Sequence, residues 1–281
     1  MSSSRERTPM RGYPRNRLTD RSGAAPVVTT TTQSRGHTIS FEDAGRGPAI
    51  VLIPDATMSA ADWRDAGYVD LLAPSRRVLS VDPLGNGLSD KPHDPDAYGW
   101  PDVATDIVAV LDAACIVRAG PWGYSRGMWL AGAVAAGFPD RVAALILCGG
   151  GDLTKDVSAG TPPSPYAEAM SRGDFGLLWD GGGFTFSEDD RRYDEEFNDP
   201  RALGAMAAGR GRSGVSIDLG RVTAPTLAFV GGKDEPDTDR ATAEALGAEF
   251  HVLPDLDHLE EFSRLDLVMP LVFGFLEPLG L

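Results

Sequence analysis

The sequence predicts an α/β fold: a doubly wound, mainly parallel sheet carrying an inserted cap. Three observations predict it. Short apolar runs, among them Ala49–Ile53, Val142–Cys148 and Thr226–Val230, read as strands buried on both faces. Segments with apolar residues at helical spacing alternate with them, as in Val103, Ile107, Val108, Val110 and Leu111 between Pro101 and Ala114. The alternation breaks once, across 153–219, which has the composition of an insertion. At 281 residues the chain is long enough for one large α/β core and such a cap.

The elements follow in order. Residues 1–24 read as a disordered basic tail, with six arginines against Glu6 and Asp20. The core is expected over 25–152 and 220–281. It opens with a hairpin, Val27–Gln33 and Thr38–Glu42 around Ser34-Arg35-Gly36. The strand Ala49–Ile53 ends at Pro54-Asp55-Ala56-Thr57, and a helix follows from Ala60 to Leu72. Arg77–Val81 is the next strand and runs into a long polar turn, Asp82 to Pro92. Pro101–Ala114 is helical. An apolar, β-prone lead-in at Cys115-Ile116-Val117 precedes Trp122-Gly123-Tyr124-Ser125-Arg126-Gly127, and a helix-like run from Met128 to Val134 follows it. Val142–Cys148 is another buried strand. Residues 153–219 mix helix-like pieces with an acidic cluster and six aromatics, from Phe175 to Phe197. After Thr226–Val230 come a helix over Thr238–Leu246, a strand over Glu249–Leu253, a turn over 254–259 and a C-terminal helix.

Composition narrows the function classes. A net charge of −15 argues against nucleic acid, because phosphate binding needs a cationic face. Both cysteines, Cys115 and Cys148, fall in apolar runs and are expected to be buried free thiols, with no disulfide framework and no metal signature. No apolar run reaches the roughly 20 residues of a membrane span. No signal-peptide pattern is present, so a cytoplasmic location is the default expectation.

The segment around Ser125 reads G-x-S-x-G between a strand and a helix, the setting a nucleophile elbow requires. A serine hydroxyl becomes a nucleophile when a base takes its proton and an acid orients that base. Of the four histidines, His258 follows the last strand at the sheet's C-terminal edge, where α/β sites form. His37 lies in the opening hairpin, His93 in the polar turn and His251 inside a strand. The acid should leave a neighbouring strand at the same edge. Asp234 does so, and Asp152 is a rival after the strand that follows the elbow helix. Asp255 and Asp257 suit turn positions.

The order Ser125, Asp234, His258 resembles that of the α/β-hydrolase superfamily, and the resemblance covers about Val27 to Leu281. Asp82-Pro83-Leu84-Gly85-Asn86-Gly87-Leu88-Ser89-Asp90-Lys91-Pro92 is similar to that family's D-x-x-G-x-G-x-S-D-x-P loop. Phe138-Pro139-Asp140-Arg141-Val142 and Leu253-Pro254 to His258 also look like family segments. Asp82, Ser89 and Asp90 are read as shaping that loop. By position, the resemblance puts the two oxyanion donors on the N–H groups of Ala56 and Arg126. The chain departs from the family at Pro54-Asp55, where His-Gly is usual, and at Pro121, which removes a donor from a central strand. A similar Val-Pro-Asp-Gly stretch occurs in fungal lactonases that open resorcylic macrolactones; that likeness is confined to the strand, the turn and the elbow. Asp55 has two readings. It holds the turn through local backbone N–H groups, which is the favoured one, or it accepts a hydrogen bond from a substrate hydroxyl.

The expected function is a serine hydrolase that cleaves a carboxylic ester or lactone through an acyl-enzyme, with no metal or organic cofactor. The alternatives are a C–C bond hydrolase, a cofactor-free haloperoxidase or perhydrolase, and a non-catalytic small-molecule receptor on the same frame. The expected partner is a small-molecule substrate, not a membrane or nucleic acid. Oligomeric state has no sequence signal.

Overall fold

The computed structural model of the chain describes residues 26–155, 168–169, 171–172, 174–176, 188–209 and 216–281. The basic tail and much of the stretch 153–219 lie outside them. Eight strands form one sheet in the order β1-β2-β4-β3-β5-β6-β7-β8. The hairpin β1 (Val27–Ser34) and β2 (His37–Gly45) pairs antiparallel, and β2 joins β4 (Arg77–Asp82) antiparallel. The strands β3 (Ala49–Ile53), β5 (Ala119–Tyr124), β6 (Leu145–Cys148), β7 (Thr226–Gly231) and β8 (Glu249–Leu253) extend it in parallel register. Parallel strands are covered on both faces, and β3, β5, β6 and β7 are buried at every position.

Residues of alternate parity feed two cores. Val51, Ile53, Leu79 and Val81 pack with α3 (Trp100–Ala113) and α4 (Arg126–Gly137). Ile50, Leu52, Val78, Trp122 and Tyr124 pack with α1 (Ala60–Asp65), α2 (Tyr68–Leu72) and the C-terminal helices. The helix expected over Ala60–Leu72 is two helices. Ser59 and Asp62 form a capping box that starts α1, and Gly67 at φ 97 turns the chain before α2.

Two further expectations are corrected. The strand entering the elbow runs from Ala119, whereas Cys115-Ile116-Val117 belongs to the turn that closes α3. There Cys115 sits at φ 56, and its N–H donates to Asp112. Cys115 is consequently exposed, while Cys148 is buried as expected. Pro121 pairs in register with Val51 inside an unbroken β5.

The described residues between β6 and β7 include the helices α5 (Glu188–Phe197) and α6 (Pro200–Gly209). They lie over the strand ends: Asn198 Nδ2 donates to the Thr57 carbonyl at 3.1 Å, and Met206 packs at Gly85 and Tyr98. Beyond β7 come α7 (Pro236–Leu246), then β8, α8 (His258–Ser263) and α9 (Leu265–Leu276). An aromatic cluster fixes α8 against the elbow strand. The Trp63 ring stands edge-on to Tyr68, Trp122 and Phe262 with centroids 4.7 to 5.4 Å apart, and Tyr68 Oη donates to the Phe262 carbonyl at 2.7 Å. Trp122 precedes the serine by three residues and Phe262 follows the histidine by four, so this packing couples their two elements. Among the described residues no helix is long and apolar enough to cross a membrane.

Candidate active site

Ser125 joins β5 to α4 at φ 55 and ψ −120, a conformation that costs a non-glycine residue about 1–3 kcal/mol. Its N–H donates to the Cys148 carbonyl at 2.8 Å, and its carbonyl accepts from Met128 at 2.9 Å. The two elbow glycines are steric necessities. A Cβ at Gly123 would strike the Gly127 carbonyl, and one at Gly127 would strike the Ile53 and Pro54 carbonyls. The elbow thereby touches the end of β3, where the Pro54-Asp55-Ala56-Thr57 turn begins.

His258 is the first residue of α8, not a loop residue as expected. Asp257 is the N-cap, accepting from Leu259 and Glu260, and Glu260 returns a bond to the Asp257 N–H. The imidazole Nδ1 lies 2.6 Å from Asp234 Oδ2. Its ring stacks on Tyr124, the residue before the serine, at 5.0 Å between centroids. Tyr124 Oη donates to the His258 carbonyl at 2.5 Å. Burial opposes a charge on this imidazole. The hydrogen bond and charge of Asp234, then the charges of Glu261 and Asp55, outweigh it and raise His258 to about 9.

Asp234 ends the β7 turn, its N–H donating to Gly231 at 3.0 Å. The rival Asp152 turns elsewhere: its Oδ1 accepts from the Thr154 N–H at 2.9 Å and from the Thr154 hydroxyl. Asp239 holds this loop from the α7 side, accepting from the Gly150 and Gly151 N–H groups at 3.2 Å. Of the two acids weighed from sequence, the structure brings Asp234 to His258.

Glu261 is a buried acid beside His258 that sequence reasoning missed. It lies one turn after His258 on α8, its side chain fully buried, with Oε1 3.5 Å from His258 Nδ1. Its Oε2 accepts the Gly231 N–H and its Oε1 accepts the Cys148 thiol at 3.5 Å. Burial, with the Asp234 and Asp239 charges, raises this carboxyl to about 8 against the pull of His258.

On the opposite side, Asn86 Nδ2 donates to the carbonyls of Asp55, Ala56 and Met58 at 2.8 to 3.1 Å, which fixes the turn holding the expected oxyanion donor Ala56. Asp82 accepts from the Ala60 and Leu88 N–H groups at 2.7 and 3.0 Å. Ser89 Oγ accepts the Ser40 N–H at 2.8 Å, and Asp90 accepts that of Thr38 at 2.7 Å. The loop residues thus act as shapers. The Asp55 carboxylate faces the site: Oδ1 accepts the Arg126 N–H at 3.3 Å, across 71 positions of chain. The Asp55 carboxylate thus reaches one of the expected oxyanion donors. Arg126 itself is buried.

Two of the other histidines are engaged elsewhere. His93 Nε2 is 2.8 Å from Asp199 at the head of α6, and His251 Nε2 is 2.7 Å from Glu249. Among the described residues, ligand atoms of Asp234, His258 and Glu261 come within 4.8 Å of one another, as a metal site would need. The 2.6 Å between Nδ1 and Oδ2 is a hydrogen-bond separation. Two ligands held about 2.0–2.2 Å from a tetrahedral metal stand farther apart than that, so the set fits a proton better than an ion.

Residues 48–204 match the family model described as the alpha/beta hydrolase fold. The chain belongs to this family. An uncharacterised protein of Mycobacterium tuberculosis is 36% identical over 154 residues, 53% of this chain and 44% of that protein. A zearalenone hydrolase of Bionectria ochroleuca is 32% identical over 117 residues, 41% of this chain and 44% of that enzyme. The matched stretch thus spans less than half the length of these relatives. Among solved structures, the enol-lactonase from Burkholderia xenovorans superposes with a TM-score of 0.74 at 23% identity, covering 88% of this chain and all of the other. At that identity the likeness is one of fold. In this alpha/beta hydrolase the strand ends carry a serine, a histidine and an acid in the sequence order expected above.

Proposed function

We propose that the protein is a serine hydrolase that cleaves a carboxylic ester or lactone through an acyl-enzyme. The observation that carries this reading is the Nδ1–Oδ2 contact of 2.6 Å between His258 and Asp234, on an imidazole stacked against the residue preceding Ser125. Asp234 fixes the tautomer in which Nδ1 carries the hydrogen, which leaves Nε2 to take the serine proton. Ser125 Oγ attacks the carbonyl carbon, and the Ala56 and Arg126 N–H groups receive the oxyanion. His258 returns the proton to the departing alkoxide, then draws one from water, whose oxygen attacks the acyl carbon and frees Ser125. The hydrolases among the relatives, a zearalenone hydrolase and a 2-hydroxymuconate semialdehyde hydrolase, support hydrolysis as the reaction class.

Asp55 favours a second reading. Its carboxylate holds the Arg126 N–H that the oxyanion needs, an arrangement compatible with a receptor that binds a small molecule and leaves it intact. Stopped-flow mixing with a p-nitrophenyl ester separates the two. A hydrolase gives a nitrophenolate burst of about one equivalent, followed by a slower steady state wherever deacylation limits, and turnover in either case. A receptor gives neither burst nor turnover.

A further inference from the structure

We propose that Glu261 is a second acid for His258: a positioning residue, held on the histidine's own helix, that accepts the Nδ1 proton whenever Asp234 cannot. The proposal rests on the serine-hydrolase reading and adds to it a duplication of the acid.

Three observations carry it. The first is placement. Asp234 reaches the imidazole from the β7 turn, whereas Glu261 shares α8 with it and stays one turn away whatever the β7 turn does. Oε1 already stands 3.5 Å from Nδ1, and a small rotation of the ring closes that gap to a hydrogen bond.

The second is accommodation. Gly149 adopts φ +57, and a Cβ there would strike Glu261 Oε1 and press on His258 Nδ1. The Gly231 N–H and the Cys148 thiol both point at the carboxyl. A fully buried acid is costly unless donors meet it, and a hydrophobic residue of similar volume is commonly as good for stability. Here backbone and thiol are arranged around an acid that stability alone does not call for.

The third is electrostatic. The ionisable groups that face this carboxyl are Asp234, His258, Asp239, Cys148 and Tyr68. Burial and the negative charges of Asp234 and Asp239 keep Glu261 protonated at neutral pH. Two carboxyls that share one site do not both ionise readily. Removing the Asp234 charge lifts that repulsion. Glu261 then gives its own proton to solvent and accepts the Nδ1 hydrogen in place of Asp234.

The test is a double-mutant cycle on kcat/KM for an aryl ester, with wild type, Asp234→Asn, Glu261→Gln and the double variant. Glu261→Gln in the wild-type background is expected to cost about threefold to tenfold. In the Asp234→Asn background the same change is expected to cost at least about a hundredfold, because the last acid is then lost. Asp234→Asn alone keeps more activity than the roughly ten-thousandfold loss seen where a triad acid has no substitute. Equal factors in the two backgrounds would mean that Glu261 only supports the fold, and would overturn the proposal. Should Glu261→Gln fail to fold, proton NMR of Asp234→Asn decides. A far-downfield Nδ1–H resonance that persists in this variant supports Glu261 as acceptor, and its disappearance contradicts it. If wild type itself shows no turnover and no serine labelling, the serine-hydrolase reading has failed. Labelled and active wild type with equal cycle factors sinks this inference alone.

Discussion

The two sides of the reaction centre are built on opposite principles. On the side of β7 and α8, one imidazole has two carboxyls beside it, Asp234 at 2.6 Å and Glu261 at 3.5 Å. On the side of β3, the proposed oxyanion site already has an acidic group at it: Asp55 Oδ1 holds the Arg126 N–H at 3.3 Å. On the acid side Glu261 is fully buried, whereas His258 and Asp234 keep part of their side chains exposed. The oxyanion side is a turn fixed through its carbonyls by Asn86 and roofed by Asn198. The lesson is that negative charge serves opposite ends at the two sites. In the proposed mechanism, negative charge beside His258 stabilises the imidazolium formed as Ser125 gives up its proton. Beside Ala56 and Arg126 it opposes the oxyanion, unless the substrate itself offers a donor to Asp55.

The comparison breaks most completely when the base is removed. His258→Ala leaves both carboxyls with nothing to orient, and kcat/KM for an aryl ester is expected to fall by about a thousandfold or more. Activity within tenfold of wild type would mean that the acid side is not the catalytic side.

Asp55→Gly tests the other half. A carboxylate accepting an N–H is a charge-assisted bond of about 1.5–3 kcal/mol. Freeing Arg126 from it is expected to raise kcat/KM for a neutral aryl ester about tenfold. For an ester or lactone whose hydroxyl sits beside the carbonyl, the gain should vanish or reverse. A parallel rise on both substrates would show that Asp55 does not recognise substrate. The variant also moves the pH profile. Activity requires unprotonated His258, so kcat/KM rises with pH through that group, which lies at about 9. Asp55 is one of the charges raising it, hence Asp55→Gly should shift the limb to lower pH. A limb that moves up would contradict the electrostatics.

The smallest effect belongs to Asp152→Asn. Its side chain is spent on Thr154, and kcat/KM is expected to stay within about twofold of wild type. A loss larger than that of Asp234→Asn would reverse the assignment of the acid.

Much of this site was readable because it is written in local grammar. Ser125 stands between glycines that the backbone requires, Asp234 sits just beyond an apolar run that reads as a buried strand, and His258 follows the last strand of the chain. The chain order already favoured Asp234 over Asp152, and the direction of the two side chains separates them in space, since both follow strands on the same edge. Glu261 was hidden by a boundary. With His258 placed in a turn, no spacing argument reaches three residues further. Yet Asp257-x-x-Glu260 is a capping box, and a helix starting at His258 puts Glu261 one turn away on the same face. The elbow strand was misjudged for a different reason. Ala119-Gly120-Pro121-Trp122-Gly123-Tyr124 has little intrinsic strand preference, and its pairing with β3 and β6 overrides that composition. The contact from Asp55 to Arg126 spans 71 positions and leaves no pattern that a single sequence could show.

The central claim is that Ser125 is a nucleophile activated by His258. Incubation with a fluorophosphonate, followed by intact-mass and peptide mass spectrometry, tests it most directly. The account predicts one adduct per chain, mapped to the peptide containing Ser125, absent from Ser125→Ala and formed far more slowly in His258→Ala. An unmodified wild-type chain, or an adduct that persists in Ser125→Ala, would contradict it.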